Sequence, residues 1–492
     1  MSRTMLLSGA LIGVAALISA AWVGNGDLPT WGIAVGTDLD VSLVVICLSY
    51  LVPAGLTVIA AGASDERSAA TVAAAGLAGI GLGVVVYVSI GFAFQSGGLG
   101  LVSDLRGAAT LVSEWSPLDI AWGPGWGIIG LDGFFLMGSP MSAGLLRVVL
   151  FQAALAASAV CIPMLALARR VSFLALLGLG LAFSVLIYPI YGNWVWGGGY
   201  LSRLGGTVGL GHGFVDYAGA GAVHALGAFF ALAAILAFGL KVERHGDVAE
   251  PPPVHFPLVA VLGAFLLLLG WFGLVLGDPV LSGNVSQERI LFNVLLAACG
   301  GVLVSSLYVW FVTGRPDLLM VVRGMVASLV AVSASCPFVS GWGALIVGAV
   351  AGLVLPLSIY VFEAKLRLDD STSSLATHGI SGLWGLIALG VLADGTSGAG
   401  WNGVGVSQYL GVEGQGVSGF LVSSGFQPDW PAQLYAQVVG VMALLVLGLG
   451  VPWLALTTVN SFKRRMARAR SGSEIAGEES PGETRVSGSE DS

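Results

Sequence analysis

The chain alternates long apolar blocks with short polar or glycine-rich stretches. About 20 apolar residues, rising ~1.5 Å each in a helix, cross the hydrocarbon layer of a bilayer. Blocks of that length lie at roughly 5–23, 41–62, 70–94, 144–168, 171–191, 216–240, 257–276, 290–313, 318–336, 341–362, 374–393 and 432–458. None alternates apolar and polar residues as a barrel strand would, so they predict helices rather than an outer-membrane barrel. The first block follows Arg3 and ends in Ser19, Ala20 and Ala21. It reads as a cleaved signal peptide within residues 1–25, or else an extra helix. Eleven spans remain, which predicts an all-α polytopic membrane protein.

Composition narrows the function classes. Charged residues make up 10% of the chain, less than half of the roughly 25% usual for soluble domains. With 56% hydrophobic residues and a mean hydropathy of +0.90, a disordered chain, a nucleic-acid binder and most soluble enzymes are excluded. No soluble catalytic domain is visible, so no enzymatic activity is expected. Cys47, Cys161, Cys299 and Cys336 all lie in apolar runs without metal-ligand spacing. They read as small buried hydrophobes, and neither metal nor cofactor is expected.

Basic residues set the expected orientation. If span 41–62 begins outside, the inner segments carry Arg67, Arg169, Arg170, Lys241, Arg244, Arg315, Arg323, Lys365, Arg367 and the basic run from Lys463 to Arg470. The outer segments carry only Arg106, Arg147, Arg203 and Arg289. The mature N-terminus is therefore expected outside and the C-terminus in the cytoplasm, in a plasma or inner membrane. Residues 95–143 and 394–431 become long outer loops able to fold over a pore mouth. Residues 461–492, basic and then acidic, read as a disordered cytoplasmic tail.

Ionisable groups are costly at membrane depth and mark function there. His224 falls in the fifth of the eleven spans and His378 in the tenth. Nearby Gly227, Gly379 and Gly382 allow close backbone approach, which could bring the two imidazoles together. Two unrelated buried histidines, each satisfied by a carbonyl, are the alternative. Equivalent positions in two five-helix halves are what an inverted repeat around a midplane site would give. His212, His245 and His255 fall in loops and read as solvated.

Several motifs carry a family resemblance. They are Trp194-Val195-Trp196 before three glycines, Asp216 eight residues before His224, and Gly270-Trp271-Phe272-Gly273. Next come Gly314-Arg315-Pro316 with Ser333 and Gly343-Ala344-Leu345, then Asp369-Asp370, His378-Gly379 and Gly382-Leu383-Trp384-Gly385, and finally Gln433-Leu434, Gln437 and Gly440. In this order and spacing, from about residue 38 to 460, the chain resembles the Amt/Mep/Rh ammonium transporters. The resemblance implies an eleven-helix bundle of two inverted five-helix repeats plus a last helix, assembled as a homotrimer in the lipid bilayer. It implies that ammonium is recruited at an outer aromatic site, deprotonated, and conducted as ammonia past paired histidines.

Carried onto this chain, the resemblance makes His224 and His378 the pore pair. Trp196 and Asp278 form the outer recruitment site, with Asp216 as its structural support. Leu155 and Leu274 stand at the hydrophobic gate where the family usually has two phenylalanines. Asp278 replaces a serine, which would put an anion at the cation site. Arg323 and Ser333 belong to the inner vestibule, Arg323 in place of a small polar residue. The usual second acid before His378 is read as replaced by Ser373, and eight residues around Gly205 to His212 are an insertion. The basic run could dock a PII-type regulatory protein or simply anchor the helix end. Alternatives left open are a channel for another small amine or a gas, and an ammonium sensor acting through a cytoplasmic partner.

Overall fold

The computed structural model describes residues 40–102, 108–117, 126–137, 142–240, 256–280, 285–368, 370 and 372–478, with side chains to residue 466. The expected signal peptide or extra helix lies outside the described residues. Among the described residues, ten helices are long and apolar enough to span a membrane. They are α1 (Val41–Gly62), α2 (Glu66–Leu101), α3 (Ala143–Leu167), α4 (Phe173–Trp196), α5 (Ala220–Phe238), α6 (Pro257–Leu276), α7 (Gln287–Thr313), α9 (Gly341–Lys365), α10 (Leu375–Leu392) and α11 (Ala432–Met466). A shorter apolar helix, α8 (Leu318–Ser333), completes eleven. The only strands described are two short hairpins, Glu114–Trp115 with Ile129–Gly130 and Gln408–Tyr409 with Val412–Glu413. The protein is an all-α polytopic membrane protein.

Side-chain caps set several helix starts. Asp65, Ser142, Ser172, Ser286, Asp317 and Ser340 each accept a backbone N–H from the first turn of the adjoining helix, satisfying donors that have no partner within the helix. Small residues then let helices touch backbone to backbone. A Cβ on Gly348 of α9 would sit 2.1 Å from the Ala297 carbonyl oxygen of α7, and one on Gly55 of α1 would sit 2.7 Å from the Leu267 nitrogen of α6.

α3 and α5 are the most enclosed helices, with 94% and 83% of their apolar windows buried inside the protein. α11 is the reverse, at 22%. Large apolar residues are exposed on α6, α7 and α11, among them Leu258, Phe265, Phe311 and Leu454, as suits a lipid-facing surface. Of the tail expected to be disordered from residue 461, the part to residue 478 is helical, and 479–492 lie outside the described residues. The last helix continues unbroken to Glu478, carrying the basic run with it.

The expected outer loops are structured around their own polar clamps. Arg289 at the start of α7 donates to the Val339 carbonyl, to Thr396 and to Asp394. Asp394 Oδ1 also accepts from the Thr396 hydroxyl at 2.7 Å. Trp401 packs against Phe338 with ring centroids 5.0 Å apart and against Tyr217 at 6.1 Å. This places the 394–431 segment over the end of α5 and α8.

Candidate functional site

The two histidine segments are built alike. Asp216 and Asp370 each precede a histidine by eight residues, His224 and His378. Asp216 Oδ2 accepts the N–H groups of Gly221 (2.9 Å) and Ala222 (2.8 Å). Asp370 accepts those of Ser374 (2.7 Å), Leu375 (2.8 Å) and Ala376 (3.3 Å). A carboxylate at this place satisfies donors without a partner in the helix and matches its positive end. Each histidine then lies in a wide π-helical turn, Ala220–Ala225 and Leu375–Ile380, a form that inserts a residue into the helix and often marks a functional site. The acid before His378, expected to be replaced by Ser373, is therefore supplied by Asp370. The repeated eight-residue spacing was the signal that could have found it.

These turns bring the imidazoles together. The His224 and His378 rings lie nearly parallel, 10° apart, with centroids separated by 5.2 Å. His224 is fully buried and His378 is 7% exposed. Neither nitrogen of His224, nor Nδ1 of His378, finds a hydrogen-bond partner in the protein. Buried polar groups are rarely left so, and the alternative of a carbonyl satisfying each imidazole does not hold for these atoms. Trp271 continues the series, its ring 5.0 Å from His224 and within 10° of parallel. Its Nε1 donates to Ser333 Oγ (3.0 Å), and Ser333 donates to the Leu329 carbonyl (2.8 Å). Sequence reasoning registered Trp271 only as part of a helix motif and missed this contact.

Toward the 394–431 segment, Trp196 donates from Nε1 to the Asp216 carbonyl (2.9 Å). Asp216 thus fixes both the helix start and the Trp196 ring. Asp278, just past α6, is 7% exposed. It accepts the Val280 N–H at 2.7 Å and lies close enough to Tyr87 and Tyr217 to act on their hydroxyls electrostatically. Leu155 and Leu274 are each 1% exposed and belong to the apolar core. Phe151 lies near Gly277, where an added Cβ would stand 2.9 Å from its ring.

On the other side of His378 a cavity of about 70 Å³ is lined by Arg323, Arg169, Thr372, Ser374 and Thr377 together with apolar residues of α1 and α3. Ser333 does not line it and stays beside Trp271, so the two residues expected in one vestibule, Arg323 and Ser333, are apart.

His212 corrects the expectation of a solvated loop histidine. It is fully buried between the short helix Tyr200–Val208 and α11. Gln433 accepts its backbone N–H (2.9 Å) and Asn402 donates to its carbonyl (2.8 Å). Its ring meets Tyr409 edge-on at 4.7 Å, and Tyr409 donates to Asp429 (2.9 Å). Burial drives the imidazole down to about 4 and raises the Asp429 carboxyl above its ordinary value, because both charged forms lose solvation. His245 and His255 lie outside the described residues. Among the described residues no cluster of three or more His, Cys, Asp or Glu side chains could hold a metal.

A sequence model described as Ammonium Transporter Family matches residues 41–478. The chain is 34% identical over 370 residues to ammonium transporter Amt2 of Archaeoglobus fulgidus, covering 73% of each protein. It is 29% identical over 379 residues to ammonium transporter Amt1 of Haloferax mediterranei, covering 74% of this chain and 68% of that one. The fold is similar to a solved structure described as a Sensor Amt Protein, with a TM-score of 0.68 and 24% identity over 86% of this chain and 93% of that one. It is also similar to Mep2 of Candida albicans, with a TM-score of 0.65 and 21% identity over 87% and 84%. At those identities the solved structures speak to fold alone.

Proposed function

The chain belongs to the ammonium transporter family, and from that premise we propose a route by which this multi-pass membrane protein moves ammonium. Trp196 offers a ring face to the cation, worth roughly 0.5–2 kcal/mol depending on desolvation. Asp278 adds a carboxylate at the same mouth, while Asp216 keeps Trp196 in place. Past that point Leu155 and Leu274 line a dry passage. Desolvation there penalises the charged form of the substrate, so ammonium gives up its proton to water at the mouth and ammonia enters. Potassium has no proton to shed and meets the whole desolvation cost.

Ammonia then meets His224 and His378. A neutral imidazole has one donor and one acceptor nitrogen, so the pair can pass ammonia along and relay a proton. The observation that carries this reading is the parallel, buried pair whose nitrogens find no partner in the protein. Trp271 and Ser333 hold the His224 side of that pair. The chemistry is transport without bond making in the substrate beyond proton exchange, so no enzymatic activity is assigned. The Trp196 and Asp278 mouth faces outward, the Arg323 cavity faces the cytoplasm, and the C-terminal helix ends inside a plasma or inner membrane. The working unit is a homotrimer, and the basic run on α11 suits a PII-type regulatory partner.

The test is uptake of ammonium or methylammonium into liposomes holding the purified protein. Uptake is expected, and the double substitution H224A/H378A abolishes it; intact protein without uptake would sink the proposal. Leu155, Leu274 and Asp278 favour a second reading, another small amine as substrate, because an aliphatic gate and an anionic mouth both tolerate alkyl groups on a cation. A panel of amines competing with methylammonium separates the two.

A further inference from the structure

We propose that the cavity below His378 is a binding site for a small monovalent inorganic anion, a halide or nitrate, held by Arg323 with the hydroxyls of Thr377 and Thr372. Of the fourteen residues lining the cavity none is acidic, two are arginines and four carry hydroxyls. The two arginines differ. Arg169 is paired with Asp65 at 3.2 Å, whereas Arg323 forms no hydrogen bond or ion pair among the described residues. Asp370, Glu363 and Asp317 act on Arg323 only through longer-range electrostatics. Asp370 is occupied by three backbone N–H groups, and Asp317 accepts two at the start of α8.

The hydroxyls point the same way. Thr377 is 4% exposed, and Oγ1 of both Thr377 and Thr372 is buried with no partner in the protein. A hydroxyl can donate to an anion without rearrangement of its neighbours, and a guanidinium supplies several donors and a permanent charge. The two remaining hydroxyl groups contribute less. Ser64 Oγ already donates to the Ala60 carbonyl, and Ser374 is tied at its backbone to Asp370. A water needs about 10–15 Å³ of such space, so about 70 Å³ admits a halide or a nitrate with a few waters. A phosphate ester or a lipid headgroup with its glycerol would not fit.

The consequence for the proposed route rests on the transport reading. Ammonia leaving the histidine pair recovers its proton in this cavity, where Arg323, which has no carboxylate in direct contact, opposes a second positive charge. An anion beside Arg323 cancels that opposition, so release of ammonium becomes anion-dependent.

Binding is tested without ammonium, on the full chain in nanodiscs of uncharged lipid with gluconate as the bulk anion. The probe is chloride, monitored by the excess ³⁵Cl line width. The expected result is a saturable broadening that nitrate displaces. R323Q removes it, T377V weakens it several-fold, and R169Q weakens it less than R323Q because Asp65 already answers that charge. R323K, which keeps the charge, retains saturable binding and serves if R323Q does not fold. No saturable broadening in the natural protein, equal binding by R323Q, or unchanged affinity in T377V each overturns the proposal. If binding succeeds while liposome uptake fails, the site stands and the transport reading falls.

Discussion

At the scale of single residues, the two aspartates that start the histidine segments carry more than their surface chemistry suggests. Removing Asp216 leaves the N–H groups of Gly221 and Ala222 buried without an acceptor. Removing Asp370 does the same at Ser374, Leu375 and Ala376. A buried donor left unsatisfied costs about 1–3 kcal/mol. D216A and D370A are each expected to destabilise the protein by about 2 kcal/mol or more, while D216N and D370N, which keep one acceptor oxygen, lose less. Thermal unfolding of the solubilised protein measures the order. Trp271 separates position from stability. W271F keeps a ring beside His224 but frees Ser333, so uptake falls several-fold with a small stability loss. S333A does the same, and the double variant loses little more, because both act on one contact. Additive losses would show that Trp271 and Ser333 work independently.

At the scale of elements, the helix positions were readable and their internal irregularities were not. The block at 41–62 is α1 as it stands, and the block at 374–393 is α10 within one residue. Hydropathy reports which residues avoid water, and that is enough to place a span. It is blind to how a helix winds. The turns at Ala220–Ala225 and Leu375–Ile380 are apolar and small like any other turn of a span, so their π form was invisible, and with it the parallel placement of His224 and His378. The fifth span was expected from 216, yet α5 begins at Ala220 because Gly219 adopts a left-handed φ of +86° and Asp216 folds back to cap the first turn of the helix. Close helix approach is similarly hidden. Gly348 and Gly81 look equivalent in sequence, but a Cβ on Gly348 meets α7 backbone while one on Gly81 meets nothing within 4 Å. G348V is therefore expected to cost about 1–3 kcal/mol through overpacking. G81A is neutral or gains up to about 1 kcal/mol from helix propensity. The comparison is read by unfolding midpoint in the same detergent.

At the scale of the whole molecule, three segments outside the spans meet around one buried imidazole, and that meeting is expected to be sensitive to acid. The glycine-rich stretch ending at His212, the 394–431 segment bearing Asn402, Tyr409 and Asp429, and the start of α11 at Gln433 are joined through His212 and its neighbours. His212 could not be read as buried from a glycine-rich loop, since its partners lie about two hundred positions away. The folded imidazole titrates at about 4, against about 6.5 in an unfolded chain. Its folded value is depressed, so the folded state prefers the neutral ring. The contribution to stability is full above the unfolded value and is lost as pH falls from about 6.5 toward 4. Asp429 works in the opposite sense, because its folded carboxyl is raised and binds a proton more readily than in the unfolded chain. Its effect therefore opposes the loss as pH falls. Removing the titrating imidazole isolates the His212 contribution from that of Asp429. Phenylalanine keeps a flat ring, though a larger one, does not titrate, and forfeits no side-chain hydrogen bond, since neither ring nitrogen of His212 has a partner. H212F is expected to unfold near or slightly below the natural midpoint at pH 7.5, since the larger ring must be accommodated in a buried site. At pH 5 the natural protein loses several degrees more than H212F, and D429N leaves that difference in place. Equal acid sensitivity of the natural protein and H212F would remove His212 as its source.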